Sequence, residues 1–92
     1  MTVRYKARAL RHINAIHDHI AQDDPIAAAR VVSRIEHAIE RLAVFPLSAR
    51  LGRVPGTRVL AVPGLPYVVI HRVRGGSVDI VAVLHTAQRR RS

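Results

Sequence analysis

Apolar residues recur every three or four positions through the first half of the chain, a spacing that predicts two amphipathic helices. The first is expected to end at about Ala21, where the polar sequence QDDP interrupts the pattern. Asp24 is a good N-cap and Pro25 suits the first helical position, so the second helix should begin there and stop at Phe45–Pro46. The two apolar stripes consist of Leu10, Ile13, Ile16, Ile20, Ala28, Val31, Ile35, Ile39 and Leu42. With so short a connection, the helices should form an antiparallel hairpin.

In the second half the apolar pattern changes to the period of two that is typical of strands. We expect strands at residues 3–5, 57–62, 67–74 and 77–85, with turns at Pro63-Gly64 and Gly75-Gly76. The order β-α-α-β-β-β predicts an α+β domain, with the helical hairpin packed on one face of a mainly antiparallel sheet. We expect one domain over residues 1–92, with residues 88–92 forming a flexible basic tail.

The two C-terminal strands are apolar on both faces, whereas a half-buried strand should alternate apolar and polar residues. Strict alternation places Tyr67, Val69, His71 and Val73 opposite Val68, Ile70 and Arg72, and places Val78, Ile80, Ala82 and Leu84 opposite Val81 and Val83. Two helices cover only one face, so the other is expected to be an apolar patch for a partner segment. The alternative is that the helices wrap around the sheet and the tail folds back.

Composition adds a strong positive charge to this picture. Fifteen Lys and Arg against six Asp and Glu give a formal net charge of +9, which favours nucleic acid or an acidic protein as partner. The chain has no cysteine, its N-terminus lacks the uninterrupted apolar run of a signal peptide, and no segment is long and apolar enough to span a membrane. We therefore expect a cytoplasmic protein without a membrane segment, a disulfide or a thiolate site.

The histidines near the N-terminus do not have the spacing of metal ligands. Two ligands on one helix need a separation of three or four residues, whereas His12 and His17 are five apart and His17 and His19 two apart. We expect a solvated helix surface there, and neither a metal nor another cofactor in the protein.

A metal-free ribonuclease site is the enzymatic alternative. Such a site needs a general base, a general acid and cations for the phosphorane, and His85 with Arg58 and Arg89 offers those residue types. Aromatic residues for stacking on bases make up only 3% of the chain. In the strand LPYVVIHRV, His71 is expected to be a structural histidine satisfied by its neighbours.

Together, the element order and several sequence segments resemble the RelE/ParE superfamily of toxins from bacterial type II toxin–antitoxin modules, also known as plasmid stabilisation proteins. These segments are SARLGRVPGTRVLAV, LPYVVIHRV and VDIVAVLHTAQR, and the resemblance covers nearly the whole chain. It implies a RelE/ParE-like fold.

Two functional branches exist in that superfamily. RelE-like members are ribosome-dependent mRNA endonucleases that use lysines in the strand after the helices and an arginine in the next strand, whereas ParE-like members poison DNA gyrase. The matching positions here are Val59, Ala61 and Val68, so the cations are replaced by aliphatic residues. The resemblance therefore implies a ParE-like gyrase inhibitor without catalytic residues, and a RelE-like nuclease using His85 is the alternative. A third possibility is an inactive relative that only binds its partner and co-represses the operon.

The resemblance also implies partners. A ParD-like antitoxin, acidic and folding on binding, is expected to neutralise the toxin and to provide its only link to operator DNA. The expected antitoxin contacts are Arg30, Arg34, Arg50, Arg53, Arg58 and Arg72, together with the open sheet face. The expected contacts with gyrase are His85, Gln88, Arg89 and Arg90.

Overall fold

The computed structural model describes the backbone of residues 1–91 and the side chains of residues 1–88. The elements are β1 (Thr2–Tyr5), α1 (Ala7–Ala21), α2 (Pro25–Val44), β2 (Arg50–Leu51), β3 (Arg58–Ala61), β4 (Tyr67–Arg74), β5 (Ser77–His85) and α3 (Thr86–Arg91). The predicted α+β class and the helical hairpin are confirmed, and the bounds of β4 and β5 match the prediction.

Two short elements were not expected from the sequence. β2 lies in the stretch predicted to be a loop, and α3 lies where a frayed tail was expected. α3 begins with a reciprocal pair of bonds, because the Ala87 N–H donates to His85 Nδ1 (3.0 Å) and the His85 N–H donates to Gln88 Oε1 (3.0 Å). These bonds satisfy backbone donors at the start of a helix, so the chain stays helical to Arg91.

The ends of α2 follow directly from the sequence. Asp24 Oδ1 accepts a hydrogen bond from the Ala27 N–H (3.0 Å), and Pro25 occupies the first turn, where its missing N–H costs nothing. Phe45 closes the helix by donating its N–H to the Arg41 carbonyl. The helix buries one stripe against the sheet, formed by Ala28, Ile35, Ala38, Ile39 and Leu42.

The five strands form one sheet in the order β1-β5-β4-β3-β2. β1 runs parallel to β5, and the remaining neighbours are antiparallel. α1 and α2 cover one face, and the core between them and the sheet includes Ile13, Ile35, Val69, Ile80 and Val83.

A β-bulge in β5 changes which residues face the helices. Ile70 pairs with Ala82, but the next residue, His71, pairs with Ile80, so Val81 has no opposite partner. Residues on either side of the bulge therefore share a face although their numbers differ in parity: Val78, Ile80 and Val83 all belong to the core. The strict alternation predicted for this strand is wrong for this reason.

The face of the sheet away from the helices is more closed than predicted. Val59, Val68 and Ala82 lie on it, and they are only 4%, 3% and 2% exposed. Arg72 donates from its guanidinium to the Pro55 carbonyl (3.4 Å), which holds the β2–β3 turn near this face. The expectation of an open apolar face is therefore wrong.

Removing the N-cap of α2 tests the boundary that the sequence predicted most directly. Asp24→Ala should lower the free energy of unfolding by about 1 kcal/mol, because the Ala27 N–H loses its acceptor. Asp23→Ala removes the same charge next door and should change it by less than about 0.5 kcal/mol. Urea unfolding of both variants measures the difference, and equal losses would contradict the cap.

Candidate functional site

His85 ends β5 with one ring nitrogen already engaged. Its Nδ1 accepts from the Ala87 N–H, so the neutral ring carries its hydrogen on Nε2. Its ring also meets Tyr67 edge to face, with the ring centroids 5.6 Å apart. While the Ala87 bond lasts, His85 has no free lone pair with which to act as a general base.

The structure does not bring His85 and Arg58 together. His85 pairs with Tyr67 and Arg58 pairs with His71, so the two are four residues apart along β4 and two strands apart across the sheet. Normal strand spacings make that roughly 16 Å between Cα atoms. The side chain of Arg89, the third residue of the enzymatic alternative, and that of Arg90 lie outside the described residues.

Three of the arginines expected to contact a partner hold loops of the protein itself. Arg34 donates to the Pro63 carbonyl in the β3–β4 turn (2.6 Å), and Arg58 donates to the Ala49 carbonyl (2.8 Å). Arg72 holds Pro55, as described above. Hydrogen bonds from a charged donor to a carbonyl are stronger than neutral ones, so these side chains fix the loops around the sheet.

The other three predicted arginines, Arg30, Arg50 and Arg53, are exposed. Arg30 begins a basic stripe along α2 that also includes Arg34, His37 and Arg41, at helical spacing. The acidic residues of this helix, Glu36 and Glu40, lie elsewhere and face Tyr5. Burial is the main cause that raises the pKa of the Tyr5 phenol, and the negative charges of Glu36 and Glu40 raise it further. One side of α2 is therefore basic and the other acidic.

An apolar groove runs beside the basic stripe, between α2 and the β3–β4 turn. It consists of two adjoining cavities of about 370 Å³ and about 240 Å³ that share Ala38, Arg41 and Pro63. We call it the α2 groove. The remaining lining residues are Arg34, His37, Leu42, Phe45, Ser48, Leu60 and Val62.

Five large apolar side chains are exposed in the segment that begins at the end of α2, and one of them, Phe45, lines the groove. Val44, Phe45, Leu47, Leu51 and Val54 are between 56% and 72% exposed. These residues extend from the last residue of α2 to the β2–β3 turn and are not on the second sheet face, where the sequence pattern had suggested an apolar patch. The signal that could have located them is a run of large apolar residues in a segment rich in Pro, Arg and Gly, which has no element to bury them.

A second cleft, of about 270 Å³, lies between α1 and the C-terminal end of β5. We call it the α1 cleft. Its lining residues are His12, Ala15, Ile16, His19, Tyr67, Val83, Leu84, His85 and Gln88. It therefore brings together His85 and Gln88, two of the residues expected to contact the target, and adds two histidines of α1 that were taken for plain helix surface.

His12 is tied to the sheet across this cleft. Its Nδ1 accepts from the Val83 N–H (3.2 Å), so its hydrogen also lies on Nε2. Burial lowers the pKa of His12, and Arg8 and Arg11 lower it further. The neutral form that can accept from Val83 is thereby favoured.

His71 is buried, as the structural role predicted for it requires, but within the described residues its neighbours satisfy Nδ1 and not Nε2. The ring is fully buried, and its Nδ1 lies 3.3 Å from the Val69 carbonyl, which can only accept. Burial lowers the pKa of His71, the bond to Val69 opposes this, and neighbouring Arg58 lowers it again. Its Nε2 has no hydrogen-bond partner among the described residues. Because the ring is fully buried, His71 does not belong to a surface site.

Residues 3–90 match the family model described as the ParE toxin of the type II toxin–antitoxin system parDE. The chain is 43% identical to a putative toxin, Y4kP, of Sinorhizobium fredii, over 94% of this chain and 88% of the relative. It is 38% identical to the toxin RelE2 of Caulobacter vibrioides, over 88% and 90% of the two chains. A solved structure of a chromosomal ParDE system from P. aeruginosa superposes with a TM-score of 0.83 at 25% identity, covering 92% and 95% of the chains.

Within the described residues, no helix is long and apolar enough to cross a membrane, and no three His, Asp or Glu side chains are grouped to hold a metal ion.

The bracing role of Arg58 can be separated from any role in binding. Arg58→Ala should lower the free energy of unfolding by about 1–2 kcal/mol, because the Ala49 carbonyl loses a charged donor at a half-buried site. Arg30→Ala removes an equal charge from an exposed position and should change stability by less than about 0.5 kcal/mol. Chemical denaturation of the two variants is the measurement, and equal stabilities would contradict the brace.

Proposed function

The chain belongs to the ParE toxin family of type II toxin–antitoxin systems, and we propose that it arrests growth by inhibiting DNA gyrase in the cytoplasm until a cognate antitoxin neutralises it. The family implies the antitoxin partner, whereas gyrase as the target is our proposal. The relatives carry both ParE and RelE names, so the choice of target depends on this chain's own residues.

The observation that carries the choice is that, in the described sheet, the strand positions where a RelE-like nuclease has its cations carry none in this chain. Two of the three matching positions, Val59 and Val68, are buried aliphatic residues, and Ala61 has no polar side chain. Loss of one preorganised donor typically costs about 2.7–4 kcal/mol of transition-state stabilisation, and here three are replaced. Arg58 is engaged with a loop carbonyl and is distant from His85.

The state of His85 supports the same choice. A general base must accept a proton on a free lone pair, but Nδ1 of His85 already accepts from Ala87 and Nε2 carries the hydrogen. A binding role needs no such lone pair. His85 and Gln88 are then contact residues for the target, and no side chain is assigned a catalytic role.

We assign the antitoxin to the basic side of α2. An acidic segment that folds on binding gains most where apolar residues and cations adjoin, and the α2 groove combines Leu42, Phe45 and Leu60 with Arg34 and Arg41. Exposed Arg30, Arg50 and Arg53 extend the positive surface around it. Contact with operator DNA then passes through the antitoxin alone.

Purified protein, freed from its antitoxin, should block supercoiling by gyrase and accumulate cleaved DNA. The same preparation should leave mRNA on translating ribosomes intact, because the required cations are replaced. Gel assays of both substrates measure this. Fragmented mRNA with unaffected gyrase would overturn the proposal in favour of the nuclease.

Charge reversal on α2 tests the assignment of the antitoxin. Arg30→Glu combined with Arg41→Glu should weaken binding of the antitoxin encoded beside the toxin by at least tenfold, since two exposed charges at about 0.5–1 kcal/mol each turn repulsive. Arg8→Glu combined with Arg11→Glu makes the same change in net charge on α1 and should alter binding less than threefold. Titration calorimetry gives the affinities, and equal losses would show only a general charge effect.

A further inference from the structure

The α1 cleft has apolar walls and a small set of hydrogen-bond donors. Ala15, Ile16, Val83 and Leu84 supply apolar walls. Ligand sites in proteins combine such walls with a few polar groups that fix the orientation of what binds. None of the residues that line this cleft is acidic.

Two of the three imidazoles at the cleft, those of His12 and His85, have the same tautomer for the same reason. His12 Nδ1 accepts from the Val83 N–H, and His85 Nδ1 accepts from the Ala87 N–H. A neutral imidazole has one donor and one acceptor, so both Nε2 atoms carry hydrogen. The backbone thus holds each ring in the tautomer whose Nε2–H can donate a hydrogen bond.

Both rings are anchored to the same part of β5. The Val83 N–H, which bonds to His12, and His85 are two residues apart on β5, and both follow the bulge. The side chains of residues 83 and 85 therefore share a face, and their Cα atoms are about 7 Å apart. Gln88 lies beside them, and its Oε1 is used by the His85 N–H, which leaves its amide N–H₂ to donate. Three residues that line one cleft therefore each keep a donor group, and each has its acceptor atom already occupied.

We propose that the α1 cleft binds a carboxylate side chain of the toxin's target protein, with His12, His85 and Gln88 donating the hydrogen bonds. This inference rests on the proposed function for the existence of a protein target, but not for its identity. A carboxylate only accepts, which suits a site made of donors, and the methylene groups of an Asp or Glu side chain suit the apolar walls. A phosphate of nucleic acid would be better served by the exposed arginines outside the cleft.

Asparagine substitutions separate the donor role from the structural role. An asparagine oxygen can take the place of Nδ1, so His12→Asn and His85→Asn can keep the bonds to the Val83 and Ala87 N–H groups. The donor at the Nε2 position is lost, because the asparagine amide nitrogen takes the place of Cδ2 and ends one bond short of it. His17→Asn is the matched control on α1, because His17 is bonded to Asp18 and does not line the cleft. Thermal unfolding checks that all variants remain folded.

Expression in growing cells gives the first readout. The double variant His12→Asn/His85→Asn should lose growth arrest and still bind the antitoxin within threefold of the parent, whereas His17→Asn should behave as the parent in both. Retained arrest would overturn the inference, and so would a parallel loss of antitoxin binding, which would assign the cleft to the antitoxin. If the parent arrests growth without affecting gyrase while the double variant is harmless, the gyrase proposal fails and the cleft inference stands.

A second readout needs no target. Titration of the purified full chain with acetate should give saturable nitrogen NMR shifts at Nε2 of His12 and His85, but none at His17. Absence of saturable shifts, or saturation by inorganic phosphate and not by acetate, would overturn the inference.

Discussion

The bulge at Val81 is the constraint on which the arrangement of this protein depends. β5 lies inside the sheet, between β1 and β4. Because Val81 is unpaired, each of the last four residues of β5 lies on the face opposite to the one that it would occupy in a regular strand. Val83 thereby joins Val78 and Ile80 in the core. His85 comes to the same side as α1, which allows the α1 cleft to form.

The high positive charge serves two different purposes. Arg34, Arg58 and Arg72 donate to carbonyls of the protein's own turns and loops, which surround a short and mostly aliphatic sheet. Charged donors suit this task because loops leave many backbone carbonyls without a partner. The outward arginines of α2 are exposed beside an apolar groove, where we propose that the antitoxin binds. The protein thus has a basic apolar surface on α2 and a donor cleft at the opposite end of β4 from Arg72.

Local chemistry explains which parts of the fold were predictable. Asp24 and Pro25 determine the start of α2 by themselves, and period-two patterning with Gly75-Gly76 defines the β4–β5 hairpin. The position of a bulge is not local, because any of several consecutive apolar residues in β5 could be the one left unpaired. The closed second face of the sheet and the α1 cleft both follow from tertiary contacts, so no sequence pattern predicted them. α3 was missed because its start depends on a pair of side-chain bonds and not on apolar periodicity.

The candidate site was predictable only in part, because it also depends on tertiary contacts. His85 and Gln88 were expected to contact the target, and the structure places both in one cleft, which leaves that role a prediction. His12 and His19 were missed, since spacing along α1 says nothing about a bond from His12 to Val83, which is 71 residues away. The arginines expected at the antitoxin surface divide into braces and exposed residues only when the loop carbonyls are in place.

The most direct test of the account is to isolate covalent gyrase–DNA adducts from cells within minutes of inducing the toxin without its antitoxin. The account predicts that adducts accumulate while ribosome-bound mRNA stays full length. Fragmented mRNA without adducts would contradict it, and would mean that RNA cleavage proceeds without the cations this chain lacks at Val59, Ala61 and Val68.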